Sequence, residues 1–519
     1  MWWSLLALEL ACGWWSNPKD SEVSDSEVSD SELSDSEVSD SAVDTASTAV
    51  APAATVDVLV IGSGPAGLSA AWAAQEAGAE ILILELADTV GPTAAYAENY
   101  LLAGTQAQRD VGVQDSVEQV LAEWSTFTVD GDGDDPIVQA FIHDLPAMEA
   151  WFLSLGASIV GPRFDPDAGD TPRLHGVRIG ELSPASQLAL TLEDWVWTGH
   201  RAVDVVQDQG AVVGVQYIDE RTGESGWVQA AATVLATGGF ARNLDLVQAA
   251  RPELAQVALV SESHPLSTGA GLDLLASAGA GEQNLDSIGV YVHGLADPRA
   301  GFEEEILIVP MLPIGLAVDT SGQRVGSEES LWGLRMDVML LAAQGQRIWV
   351  LLPEEEWAQM EVLVPSYNST LPRELVDNEE IQALGAVQIY PDIQGVAAGL
   401  GLPEDALVQD FNDYNTLAKT GSDLEYGKNE FLLRPFTGSI AVLEVRAGVA
   451  KNFGGARLDL QGRVLDESGV PIAGLYAAGE VAGMLGTPDI GQGFSGSITA
   501  VHWTGLLAGE SAAVYVQSP

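Results

Sequence analysis

The sequence predicts an α/β fold, and three observations carry that prediction. An apolar run, Val56–Ile61, leads into Gly62-Ser63-Gly64-Pro65-Ala66-Gly67, the pattern of a strand entering a G-x-G-x-x-G turn. A second apolar run, Ile81–Leu84, follows and closes on the acid Glu85. Two later apolar runs leave into glycine turns, Leu235-Ala236-Thr237-Gly238-Gly239 and Leu475-Tyr476-Ala477-Ala478-Gly479-Glu480. Unbroken rather than alternating apolar runs mark strands buried on both faces, as in a parallel sheet flanked by helices.

Each glycine of the first turn has its own duty. Gly62 permits the tight turn after the strand, Gly64 lets backbone approach a pyrophosphate, and Gly67 lets the helix pack closely on the strand. The helix, read over residues 68–78 and starting near Pro65 and Ala66, offers free N–H groups and the positive end of its dipole to an anion. Glu85 stands where an acid accepts hydrogen bonds from an adenosine ribose and disfavours a 2′-phosphate. An ordinary glycine-rich βα turn is the competing reading, and the register of strand, helix and Glu85 argues against it.

Helical patterning follows from about Ser116 to Gly156, with Val117, Val120, Leu121 and Trp124 at core-facing spacing. Short β segments are read at 202–206, 211–217 and 227–234, and a last helix from about Ser497. Ligands of an open parallel sheet bind beyond the carboxyl ends of its strands. Thr237, Gly238, Gly239, Glu480 and the Ser495-Gly496-Ser497 turn are therefore candidates for the far part of the same cofactor, although a plain strand exit would look similar.

With 519 residues the chain has room for two or three domains. Its formal charge of −54, from 75 acids against 21 bases, argues against nucleic acid or an anionic membrane surface as partner. The single cysteine, Cys12, excludes internal disulfides, a cysteine-ligated iron–sulfur cluster and a C-x-x-C-H haem site on these residues, and no metal site is read. Residues 1–12 are apolar and end in Leu10-Ala11-Cys12, like a lipoprotein signal whose cysteine carries the lipid. Glu9 and the absence of a basic residue before the run count against that reading, and a plain N-terminus with a free thiol is the alternative. Residues 13–54 contain a Ser-Glu-Val-Ser-Asp repeat whose like charges repel, an acidic disordered tether. With lipid on Cys12 the protein belongs to the cell envelope on the extracytoplasmic side; without it, to the cytoplasm.

In this order the motifs resemble the FAD-dependent oxidoreductase 2 family, the flavoproteins of fumarate reductase and succinate dehydrogenase, which also holds urocanate reductases and 3-ketosteroid dehydrogenases. The resemblance spans about residues 55–519. It extends through Ala103-Gly104-Thr105, Val113–Val117, Asp135-Pro136, Trp151–Ala157, Thr268–Leu272, Ala278-Gly279-Ala280, Ala317-Val318-Asp319 and Gly322-Gln323-Arg324, and is similar in layout to soluble flavocytochrome-type fumarate reductases. It implies a Rossmann-like FAD-binding domain over 55–285 and 448–519, split by an inserted α+β capping domain at 286–447. It also implies FAD, with Thr93 among its contacts. The stretch Gly91–Tyr96 has no histidine for a covalent link, so non-covalent binding is expected.

For chemistry, the resemblance places His293 at the first substrate-clamping histidine and Lys451 at a member of the family's histidine pair. It expects the proton-donating arginine at Trp332; the nearest is Arg335, one helical turn on. The competing readings are a surface histidine, a structural salt bridge and a solvated arginine. The loop Thr487–Phe494 lacks the second clamping arginine, carries Asp489 and ends in Phe494, while Glu98-Asn99 replace a glycine pair near the flavin. A dicarboxylate needs paired cations, because an unpaired buried anion costs several kcal/mol.

The expected function is thus an FAD-dependent oxidoreductase acting on a C=C bond beside a carbonyl, with hydride transfer at flavin N5 and a substrate that is not a simple dicarboxylate. The alternative is a tethered flavoprotein electron carrier or ligand-binding module, and a third reading is an oxidase delivering electrons to oxygen. No second G-x-G-x-x-G follows a strand, so the electron donor or acceptor is expected to be a separate protein or a quinone.

Overall fold

The computed structural model describes residues 51–94, 99–127, 136–163, 171–256, 259–261, 263–300, 306–309, 312–328, 347–368, 371–483 and 496–518. Residues 1–12, with their lipoprotein-signal reading, and all but the last residues of the tether lie outside them. The elements of the fold belong to the unit Ala53–Pro519.

Strand β1 (Ala54–Ile61) enters helix α1 (Pro65–Glu76), and β2 (Ile81–Leu84) returns parallel to β1. Proline at the start of α1 fits the first turn, where its missing N–H has no intrahelical partner to lose. The sheet continues on one side to β3 (Val196–Trp197) and on the other to β4 (Ser225–Leu235), also parallel. Register brings the carboxyl ends level. The Gly62 N–H donates to the Leu84 carbonyl at 2.8 Å and the Ala236 N–H to Ile61 at 2.8 Å. The long strands His200–Asp208 and Ala211–Asp219 extend β4 as an antiparallel flap.

Alternation along β1 divides the core between the two faces of the sheet. Val58 and Val60 pack with Leu68 and Ala71 of α1, whereas Leu59 and Ile61 pack with Val215, Leu274 and Leu475. Among the described residues the helical run read over 116–156 comprises Val117–Phe127, Pro136–His143 and Leu145–Ser154, with prolines in the first turns of the latter two.

Beyond this sheet, β5 (Ile288–Ala296) and β6 (Arg446–Asn452) run antiparallel and carry the chain out to and back from two further sheets. One has six strands and includes β5 and β6; the other has four, Leu316–Asp319, Ile348–Pro353, Ile440–Glu444 and Val387–Tyr390. The four-stranded sheet has apolar cores on both faces, with Val350 and Leu352 on one and Leu351 and Val442 on the other.

Beside it lies a buried cluster of charges. The Arg324 guanidinium donates to Glu328 at 3.0 and 2.8 Å and to Asp423 at 2.7 Å, and Lys428 Nζ stands 3.3 Å from Glu328. Tyr414 and Tyr426 present their rings to the guanidinium at 5.3 and 4.9 Å. Burial pulls the Lys428 ammonium down to about 8.

The chain returns to the first sheet as β7 (Pro471–Ala477), parallel to β4, and ends in α2 (Ile498–Gln517), which lies against α1. Two glycines allow that approach. A Cβ at Gly505 would lie 2.3 Å from the Ala66 carbonyl oxygen, and one at Gly509 would lie 2.1 Å from that of Ala70. Among the described residues no helix is long and apolar enough to cross a membrane.

Candidate active site

The site forms where β1, β2, β4 and β7 end together. Gly62 turns with φ 103°, and a Cβ there would lie 2.4 Å from the Ala236 carbonyl oxygen. At Gly67 a Cβ would come within 1.9 Å of the Gly62 carbonyl oxygen, so helix and turn meet at backbone distance. Gly64 stays open except for the Thr93 hydroxyl, 3.1 Å from where its Cβ would be. Gly64 precedes α1 without a side-chain cap, which leaves the first-turn N–H groups facing outward.

Glu85 is buried, and the protein already engages its carboxylate. Oε2 accepts from the Ser63 N–H and hydroxyl, both at 2.7 Å, and Oε1 from the Ala87 N–H at 2.7 Å. Ser63 in turn accepts the Gly91 N–H at 2.9 Å. Glu85 therefore braces the turn, a role hidden in the sequence because Ser63 fills a variable position of the motif.

At the ends of β4 and β7, Gly238 adopts φ 75° with open space where a Cβ would be, while a Cβ at Gly239 would lie 2.4 Å from Glu480 Oε2. The protein around Glu480 raises its carboxyl to about 7: burial drives the rise, and the Lys451 ammonium and the Gly239 N–H pull it back. A carboxyl raised on folding stabilises fully below its ordinary range near 4.5, and that contribution disappears as pH rises through 7. We expect the wild-type chain to lose roughly 2 kcal/mol relative to Glu480→Gln between pH 5 and 8. Urea unfolding at both pH values checks this; parallel profiles would place the Glu480 carboxyl in solvent.

Lys451 lies on β6, where Gly289 pairs with Lys451 and Val290 with Val449, so Ala450 is an extra, bulged residue. Bulges re-aim neighbouring side chains. Here the Lys451 ammonium donates to the Ser497 hydroxyl at 3.1 Å and lies 5.3 Å from the Phe453 ring centre. Ser497 precedes α2 without capping it, and bridges to Tyr100. Asn99 is exposed and accepts a hydrogen bond from Arg163.

Gly62, Gly64, Pro65, Ala66, Gly67, Glu85, Thr93, Thr237, Gly238, Gly239, Glu480, Lys451 and Ser497 thus share one edge of the sheet. His293 lies on β5 with its side chain outside the described residues; Arg335, Trp332, Ser495, Glu98 and the loop Thr487–Phe494 lie wholly outside them. Asn452, next to Lys451, is a member of the site that the sequence does not reveal.

Whether these residues suit a flavin dinucleotide is testable on the structure. The Thr237 and Thr499 hydroxyl oxygens are buried without a hydrogen-bond partner, and Gly238 has free space where a Cβ would be. The open backbone edge at Gly238, at the carboxyl end of β4, leaves room for a flat polar ligand such as a flavin dinucleotide.

The family described as FAD binding domain matches residues 57–494. The chain is 25% identical over 485 residues to a fumarate reductase (cytochrome) of Shewanella frigidimarina, covering 90% of this chain and 78% of that protein. It is also 25% identical over 486 residues to a vinyl phenol reductase of Lactiplantibacillus plantarum, covering 88% and 96%. The open conformation of a flavocytochrome c3 fumarate reductase superposes with a TM-score of 0.70 at 23% identity, covering 90% of this chain and 79% of that one, a likeness of fold.

Proposed function

The chain belongs to the FAD-binding flavoprotein family matched over residues 57–494, and from that premise we propose that it reduces or forms a C=C bond beside a carbonyl in a substrate other than a simple dicarboxylate. It is an FAD-dependent oxidoreductase of the fumarate reductase family. We place the capping domain at 286–447 and propose that the electron donor or acceptor is a separate protein or a quinone.

The observation that carries the proposal is the Lys451–Ser497 pair beside Glu480. Bound FAD supplies hydride chemistry at its N5 position. Lys451 offers an ammonium to one oxygen of the substrate, where it stabilises negative charge as that charge develops and can return a proton. Ser497 accepts from that ammonium, which makes its own hydroxyl a stronger donor. One such oxygen site suits a ketone, an ester or a single carboxylate. The likeness to a vinyl phenol reductase supports a substrate without two carboxylates. His293 and Arg335 are further groups proposed to polarise or protonate the substrate. We further place the protein in the cell envelope, held by lipid on Cys12, to be tested by mass spectrometry of the N-terminal peptide.

The deciding experiment reduces the purified protein anaerobically with dithionite and follows its visible absorbance as fumarate, urocanate, enones, steroid ketones and finally oxygen are added. Reoxidation by an enone or a monocarboxylic ene, and not by fumarate, is the expected result. Rapid reoxidation by fumarate would overturn the substrate reading, and a response to oxygen alone would favour an oxidase or an electron carrier.

A further inference from the structure

Asn452 is the last residue of β6 and is 1% exposed. Its Oδ1 accepts the Phe240 N–H at 2.8 Å, and its Nδ2 donates to the carbonyls of Gly454 at 2.8 Å and Glu480 at 3.2 Å. Only this orientation of the carboxamide faces its oxygen to a donor and its nitrogen to two acceptors. The fit is tight: a Cβ at Gly239 would lie 1.9 Å from Asn452 Oδ1. One buried side chain thus joins the glycine turn after β4, the backbone of the acid after β7, and the strand returning from the outer sheets.

Position gives these bonds their meaning. Lys451, the preceding residue, follows the Ala450 bulge and reaches Ser497 across the same edge. A bulged strand end has fewer ladder bonds to fix it than a regular one. The Asn452 bonds supply the constraint from the side of the nucleotide-binding sheet.

We propose that Asn452 is a positioning residue that fixes the strand carrying Lys451 to the FAD-binding turn at Gly238–Phe240, so that ammonium and cofactor-binding backbone keep one separation. The part concerning Lys451 rests on the function proposed above; the part concerning the turn does not. Asn452→Asp keeps the acceptor for Phe240 but aims a carboxylate oxygen at the Gly454 and Glu480 carbonyls. Leaving a buried group mispaired costs about as much as a tenfold change in an equilibrium.

The test titrates FAD into the apoprotein of the full chain, following flavin fluorescence and the visible band. Val449→Ala, a buried apolar truncation on the same strand, is the control for simple destabilisation. Asn452→Asp is expected to weaken FAD binding at least about tenfold and to shift the visible band, with Val449→Ala within about twofold of wild type at a temperature where all are folded. Asn452→Ser decides on the same criteria if Asn452→Asp does not fold. Binding and spectrum unchanged in the Asn452 variant, or altered equally in the Val449 control, would overturn the proposal. A wild-type chain that takes up no FAD would overturn the cofactor assignment and the proposal with it.

Discussion

Replacing Lys451 by alanine is expected to slow reoxidation of the reduced protein by its ene substrate by roughly two to four orders of magnitude, the range for a group that stabilises charge and transfers a proton in the transition state. The ammonium donates to Ser497 and faces Glu480, so its removal empties the cationic centre of the site. FAD content and unfolding midpoint should change little, since Lys451 is only partly buried. Lys451→Arg keeps the charge but not the compact donor and should recover part of the rate. Stopped-flow absorbance measures each variant at saturating substrate. A rate within threefold of wild type for Lys451→Ala would reduce the lysine to a structural partner of Ser497.

Arg324→Leu is expected to destabilise the protein by about 3–5 kcal/mol, because Glu328 and Asp423 would remain buried with only part of their charge compensated. That is a large share of the ~5–15 kcal/mol typical of a folded domain. Arg324→Lys should fall between, since one ammonium cannot reproduce the forked contact with Glu328 and the contact with Asp423 together. Urea unfolding followed by tryptophan fluorescence checks both. A loss below about 1 kcal/mol for Arg324→Leu would mean that water reaches the cluster and screens it.

The parts of the site that are legible in the sequence are those whose signal is local. The strand, turn and helix at 54–76 lie within a few residues of their reading, because periodicity and glycine spacing act over one element. Glu85 and Glu480 stand out because each closely follows a strand. Asn452 carries no comparable signal: its partner Phe240 is 212 positions away, and nothing short of the sheet order brings them together. The bulge at Ala450 exists only in the pairing of β6 with β5, so the direction of Lys451 cannot be read from β6 alone. The described helices within 116–156 read as one run because apolar residues recur at helical spacing in each, although the Asp- and Gly-rich stretch before Pro136, and Pro146, are sequence signals against a single helix.

The contact of α2 with α1 also bears on how the protein is made. Helix α1, which follows the glycine turn, is supported by Gly505 and Gly509, and the sheet beside it is extended by β7, so residues near the start of this unit rest on residues about four hundred positions later. A nascent chain leaving the ribosome therefore displays the glycine turn long before the elements that hold it in shape have been synthesised. A chain stalled or cleaved before residue 498 would expose the apolar face of α1 to proteases and chaperones.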